Sequence, residues 1–274
     1  MTSEKRLFSD DELETMSKDF MGLAMEALEG GDVEGAKHWI RRHDETKDVI
    51  HDLYLHWITA LLSHIHENWG EEAAVKAVRD TAAHGQSGWA IPMAQAKQKI
   101  IEEQGMKAYV EWVIDMWRQH SMYPGTTVEE DDEKVIIRMR QCGSGGRLIN
   151  SGAYDGPMGY KKLEKAGCHT WGEQGLPIYC SHCPMVHEIA PVQYFGRGAQ
   201  FWVHASPFPE KKGDPCILHI YKDPDDSPAS YYERIGMSTI DDPLPPTFGV
   251  DPENVSASSD AGDGSLPSYP PRSS

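Results

Sequence analysis

The hydrophobic period changes once along this chain. Up to about residue 125 the apolar residues recur every three or four positions, the spacing of a buried helix face. Beyond the acidic run from Glu129 to Glu133, Val135, Ile137 and Met139 alternate with Ile136, Arg138 and Arg140, the period of a half-buried strand. A chain patterned this way is expected to be α+β, with an N-terminal helical bundle followed by a small mixed or antiparallel sheet.

Local signals fill in the elements. Ser9 with Glu12 makes a capping box, and Leu13, Met16, Phe20, Leu23, Ala27 and Leu28 predict one helix running to Gly30 and Gly31. Asp32 caps a second. Residues 45–69 read as a third, ending at Gly70, and its 53–58 section is apolar nearly all round, which places it at the centre of the bundle. Residues 71–84, 92–104 and 106–122 supply three more helices, with Gly85 and Gly105 as stops. Two later segments, 199–204 and 216–221, read as strands. From 241 onward Pro, Ser, Asp and Gly dominate, so the organisation expected is a helical region over 1–125, a sheet-containing region over 126–240 and a disordered tail over 241–274.

Composition excludes several partners. With 26 Lys and Arg against 43 Asp and Glu the formal charge is −17, which repels phosphate backbones and anionic bilayers, so neither nucleic acid nor membrane is expected as a partner. The most apolar run, 53–62, is interrupted by His56 and is far shorter than the roughly 20 residues that span a bilayer. No signal-peptide pattern opens the chain, and its 5 cysteines are an odd number, which favours reduced thiols or metal ligands over a disulfide framework and a cytoplasmic location. Association into a homo-oligomer is left open.

All five cysteines lie after residue 140, and the densest chemistry is in Tyr179-Cys180-Ser181-His182-Cys183-Pro184-Met185-Val186-His187-Glu188. On a helix Cys180, Cys183 and His187 would share one face; in a knuckle Cys180, His182 and Cys183 would converge. A fourth ligand would come from Cys142, after the first strand, or Cys216, at the start of the last, because neighbouring strand ends bring such residues together. Zinc is the metal this donor set predicts first, with iron the other it would take. Buried inert thiols and a redox pair of Cys180 and Cys183 are the competing readings.

Around this segment Glu188 is the candidate general base for a metal-bound water, and His169 a candidate proton-transfer group. Cys142-Gly143-Ser144-Gly145-Gly146-Arg147 is a loop able to offer backbone N–H groups and Arg147 to an anion or carboxylate. Trp171 and Tyr179 belong to an aromatic-rich stretch, with Tyr194, Phe195, Phe201, Trp202 and Tyr221, that suits an apolar pocket for a small molecule. His204 and His219, on predicted strands, read as core histidines.

The order of strand, glycine loop, Cys/His segment and a final Gly213-Asp214-Pro215-Cys216-Ile217-Leu218-His219-Ile220 resembles the 4-vinyl reductase-like small-molecule-binding domains and the L-2-amino-thiazoline-4-carboxylate hydrolase-like proteins. The resemblance covers residues 134–222, with Cys183, Gly213 and Cys216 as the matching positions; the Glu-x-x-Cys usual before the last strand is absent, with His204 and Glu210 in that region. It implies zinc held by cysteines of the closing strands beside an apolar ligand pocket. With metal-bound water or substrate activated near Glu188, the expected function is a zinc-dependent hydrolase or lyase acting on a small organic molecule. The alternatives are a zinc-stabilised binding or sensor module without catalysis and, third, a thiol redox protein.

Overall fold

The structure is a computed structural model that describes residues 7–83, 90–119, 125–157, 159–196, 202–205 and 208–236. The expectation of a disordered tail over 241–274 falls outside these residues, as does Phe201. Among the described residues no helix is long and apolar enough to cross a membrane. By contacts the chain divides into two compact units that meet between Tyr54 and Leu55.

The first unit holds α1 (Asp10–Met16), α2 (Phe20–Glu29) and the beginning of α3 (Val33–Trp69). The Ser9 capping box forms: Ser9 Oγ accepts from the Glu12 N–H at 3.3 Å, and a Glu12 carboxylate oxygen accepts from the Ser9 N–H at 2.7 Å. The single helix expected from Leu13 to Leu28 is two helices, because Asp19 accepts hydrogen bonds from the N–H groups of Met21 and Gly22 and so begins a new helix. Asp32 caps α3 in the same way, accepting from Gly35 at 2.9 Å. The two helices expected after it are one helix of 37 residues, since neither glycine nor proline interrupts 36–69.

In the second unit α3 runs on to Trp69 and is followed by α4 (Glu71–Ala83) and α5 (Ala90–Gln119). Gly105, with φ 85° and ψ 172°, divides α5 into the two helical stretches expected on either side of it. The 53–58 section of α3 is not central. Its buried line runs through Leu55, Thr59 and Ser63, while Trp57 is 60% exposed. Small polar residues can occupy that line because their hydroxyls are satisfied: Thr59 donates to the Leu55 carbonyl at 2.6 Å, and Ser63 accepts from the Lys161 N–H at 3.1 Å.

The sheet is antiparallel throughout, in the order β1 (Thr127–Glu130), β2 (Lys134–Met139), β6 (Cys216–Tyr221), β5 (Val203–Ala205). β3 (Lys162–Leu163) and β4 (Leu176–Pro177) form a separate short pair. Alternation sets the faces as expected. Val135, Ile137 and Met139 of β2, with Cys216, Leu218 and Ile220 of β6, pack against Tyr109, Val113 and Trp117 of α5. β1 was not expected from its acidic, fully exposed residues. It forms because Asp131 accepts from the Glu133 and Lys134 N–H groups and turns the chain back on itself.

Between β2 and β5 the chain builds the site out of short pieces: α6 (Gly145–Asn150), a 3₁₀ turn at Cys168–Thr170, another at Ile178–Ser181, a π-helical turn at Pro184–Ile189 and α7 (Ala190–Phe195). After β6, α8 (Ala229–Glu233) closes the described chain. A second core, formed by Met185, Val186 and Ile189 of the π turn with Val78, Trp171, Phe208 and Tyr232, anchors this region. The uninterrupted helix face proposed for Cys180, Cys183 and His187 is therefore absent. A 3₁₀ turn followed by a π turn changes the angular step between successive residues.

Candidate functional site

A cavity of about 900 Å³ lies in the second unit, walled by Leu61 and Leu62 of α3, Val78 of α4, Met116 and Trp117 of α5, and by Trp171, Tyr179, Val186 and Phe208. Its polar lining is Cys142, Cys180, Cys183 and Cys216 together with His182, His187 and His204. All six candidate metal ligands thus line one space. Strand register explains part of this: Met139 pairs with Cys216 across β2 and β6, so Cys142, three residues on, turns back over the start of β6. Gly145 and Gly146 permit the approach, since a Cβ on Gly146 would lie 3.2 Å from the Cys142 Cβ.

The four thiols are not equivalent. A hydrogen bond from Cys216 pulls the Cys142 thiol down to about 6 against the effect of burial, helped by the backbone N–H groups of Gly146, Ser144 and Gly145, of which Ser144 N–H lies 3.4 Å from Sγ. The same contact raises Cys216, and burial adds to it. Burial, then the Cys142 charge, raises Cys180; burial, then its thiol neighbours, raises Cys183. Of the four, Cys142 is the thiol whose surroundings favour ionisation and the other three are those whose surroundings oppose it.

His182 Nδ1 stands 2.6 Å from the Tyr179 carbonyl, to which it must donate. Burial pushes this imidazole down to about 4, so it is neutral, and its Nε2, 3.5 Å from Cys183 Sγ, accepts from the protonated thiol. Cys180 and Cys183, the pair of the redox expectation, are both free thiols raised by burial; the pair in mutual hydrogen-bond contact is Cys142 and Cys216.

The donor set suits a soft or borderline dication, but the donors do not close on a common point. Among the described residues no group of three or more His, Cys, Asp or Glu is arranged to hold a metal ion.

Glu188 is not placed as a general base at the cavity wall. It is fully buried, and both carboxylate oxygens are engaged: Oε1 accepts from the His204 backbone N–H at 2.8 Å and lies 3.1 Å from His204 Nδ1, and Oε2 accepts from Arg234 at 2.8 Å. Burial alone would raise its pKa; Arg234 and His204 outweigh burial and hold it below the usual carboxylate value. Burial keeps His204 below its ordinary value despite Glu188, so the pair is a carboxylate and a neutral imidazole. The carboxylate only accepts, which places the imidazole proton on Nδ1 and leaves the His204 Nε2 lone pair free of the Glu188 contact. His204 lines the cavity, so Glu188 is a positioning residue for it.

Trp171 and Tyr179 line the cavity as expected. Trp171 has φ 54°, the only positive value outside glycine among the described residues, and stacks on Phe208 at 4.2 Å and against His204 at 4.9 Å. A tryptophan held in that backbone region by its packing is the kind of local strain that gathers at functional sites. Arg147, in α6, and His169, in the first 3₁₀ turn, do not line the cavity. His204 is the satisfied core histidine expected, 2% exposed and bonded to Glu188, and it also lines the cavity; the residue that sequence reasoning missed is Arg234, which no local pattern marks and whose partner Glu188 is 46 residues away. No family model, curated protein or solved structure matches this chain.

Proposed function

We propose that this chain binds a small, largely apolar organic molecule in the 900 Å³ cavity, with the thiol and imidazole groups of its lining fixing its orientation. The observation that carries this reading is the lining itself: aliphatic and aromatic walls with a few convergent polar groups, at a volume that suits a drug-sized ligand. Binding without catalysis needs nothing further. A hydrolase or lyase reading would run through His204, which burial keeps below its ordinary pKa and Glu188 orients to accept a proton, rather than through Glu188 itself.

Titration of the purified protein with an uncharged solvatochromic dye such as Nile red tests the reading. Saturable binding is expected, and Val78→Trp, which fills the cavity from α4, should abolish it. Binding that ignores Val78→Trp, or no binding at all to the folded protein, would overturn it. A zinc-supported form of the same site is favoured by one observation, that four thiols line the same cavity. About one zinc per chain, lost in Cys183→Ser, would support that form. Metal-free protein that gains no stability from added zinc or iron would remove it.

A further inference from the structure

The opposite face of the sheet carries a different chemistry. Arg138 of β2 and His219 of β6 point away from the α5 core and, with Tyr231 of α8 and Arg234 just beyond it, line a second cavity of about 540 Å³. Trp171 and Phe208 form part of its apolar wall, and both also line the first cavity. In a chain of formal charge −17, two guanidinium groups on one small cavity run against the overall sign.

Arg234 is held in place before any ligand arrives. One terminal nitrogen donates to buried Glu188 at 2.8 Å, and the guanidinium carbon lies 4.3 Å from the centre of the Tyr231 ring and 5.6 Å from that of Phe208. Its Nε is buried with no hydrogen-bond partner among the described residues. Arg138 is exposed and makes no ion pair among them. The Tyr231 hydroxyl is 3.4 Å from His219 Nδ1. Burial lowers the His219 pKa, and the positive field of Lys134, Arg138 and Arg234 lowers it further, outweighing Asp131. The carboxylate on this wall is Glu173, which is exposed and so can turn to solvent.

We propose that this second cavity binds a small organic carboxylate, with its anionic head between Arg138 and Arg234 and its apolar body against Trp171 and Phe208. Guanidinium groups match a carboxylate in geometry and charge, and flat aromatic walls suit a ring or short hydrocarbon. The proposal does not depend on what fills the first cavity.

Calorimetric titration of the full-length protein with benzoate tests it, with benzamide as the uncharged isostere and inorganic phosphate as an anion without an apolar body. Benzoate should bind saturably and benzamide should not, and added salt should weaken benzoate. Arg138→Gln, at an exposed strand position, should reduce benzoate affinity about tenfold or more. Absence of saturable benzoate binding, or equal binding by Arg138→Gln, would overturn the site. Benzamide binding as tightly as benzoate would overturn the role of charge, and phosphate binding as tightly would overturn the role of the apolar wall. Should Arg138→Gln fail to fold, the benzoate–benzamide comparison and the salt dependence on the wild-type protein still decide the matter.

Discussion

A Cβ placed on Gly145 would stand 2.5 Å from the sulfur of Cys180, so the glycine loop after β2 and the 3₁₀ turn carrying Cys180 meet with no room for a methyl group. The thiol lining of the cavity depends on that approach. Gly145→Ala should force Cys180 or α6 to shift, at a cost of about 1–3 kcal/mol as in other overpacked interiors. Thermal denaturation would register the loss, and dye affinity in the large cavity should fall with it. A variant as stable as wild type would show that the turn yields freely.

Glu188→Gln should be severely destabilising, because Arg234 would keep its charge and lose the buried carboxylate that compensates it. Breaking one partner of a buried pair typically costs about 3–5 kcal/mol. The double variant Glu188→Gln with Arg234→Met should recover part of the loss, which a role for Glu188 in proton transfer alone would not predict. The pH dependence has a definite sign. The folded-state pKa of Glu188 is lowered, so its stabilising contribution is complete above the ordinary value of 4.5 and is lost as pH falls through the folded value. Urea denaturation of wild type and variant across the acidic range should show the two curves converging as pH falls.

How much of this was legible in the sequence follows from the range of the interactions concerned. Ser9 and Glu12, or the alternation through Val135, Ile137 and Met139, act over a few residues, and the elements they specify are present. The break at Asp19 was overlooked because Leu13 to Leu28 keep helical spacing on both sides of it. The gathering of Cys142 with Cys216 could be anticipated, since both sit at strand ends, and the structure lines one cavity with them. The role of Glu188 could not. Its partners are 16 and 46 residues away, and nothing near position 188 reveals that both oxygens are taken. His204 is the core histidine its strand position predicts, but its place at the cavity was not legible, because it depends on β5 pairing with β6 and on Glu188.

Cys142 should be the first cysteine to react with a small alkylating agent such as iodoacetamide near neutral pH. Its thiol is pulled down to about 6 by Cys216 and the backbone N–H groups, whereas those of Cys180, Cys183 and Cys216 are pushed up. Peptide mapping by mass spectrometry should locate the first adduct at Cys142, with a rate that rises through about pH 6 and then levels. Cys216→Ala removes the donor responsible and should move the inflection upward. A first adduct at Cys180 or Cys183 would contradict the assignment of the thiolate.

Lys97, on α5, is 1% exposed and lies with its ammonium 3.7 Å from the centre of the Trp202 ring. Burial pushes its pKa from 10.5 down to about 7. Between about pH 7 and 10.5 the unfolded chain therefore holds a proton that the folded chain releases, and stability should rise with pH across that window. Below about 7 the cost of burying the residue is present in full. That cost is on the order of 5 kcal/mol as an upper bound, part of which the face of Trp202 returns. Lys97→Met keeps the length of the side chain and removes the charge. It should be more stable than wild type at pH 7 and below, with an advantage that shrinks as pH approaches 10.5. Chemical denaturation at a series of pH values measures both trends in one experiment, and a variant less stable than wild type at neutral pH would show that the ring and its surroundings stabilise the cation outright.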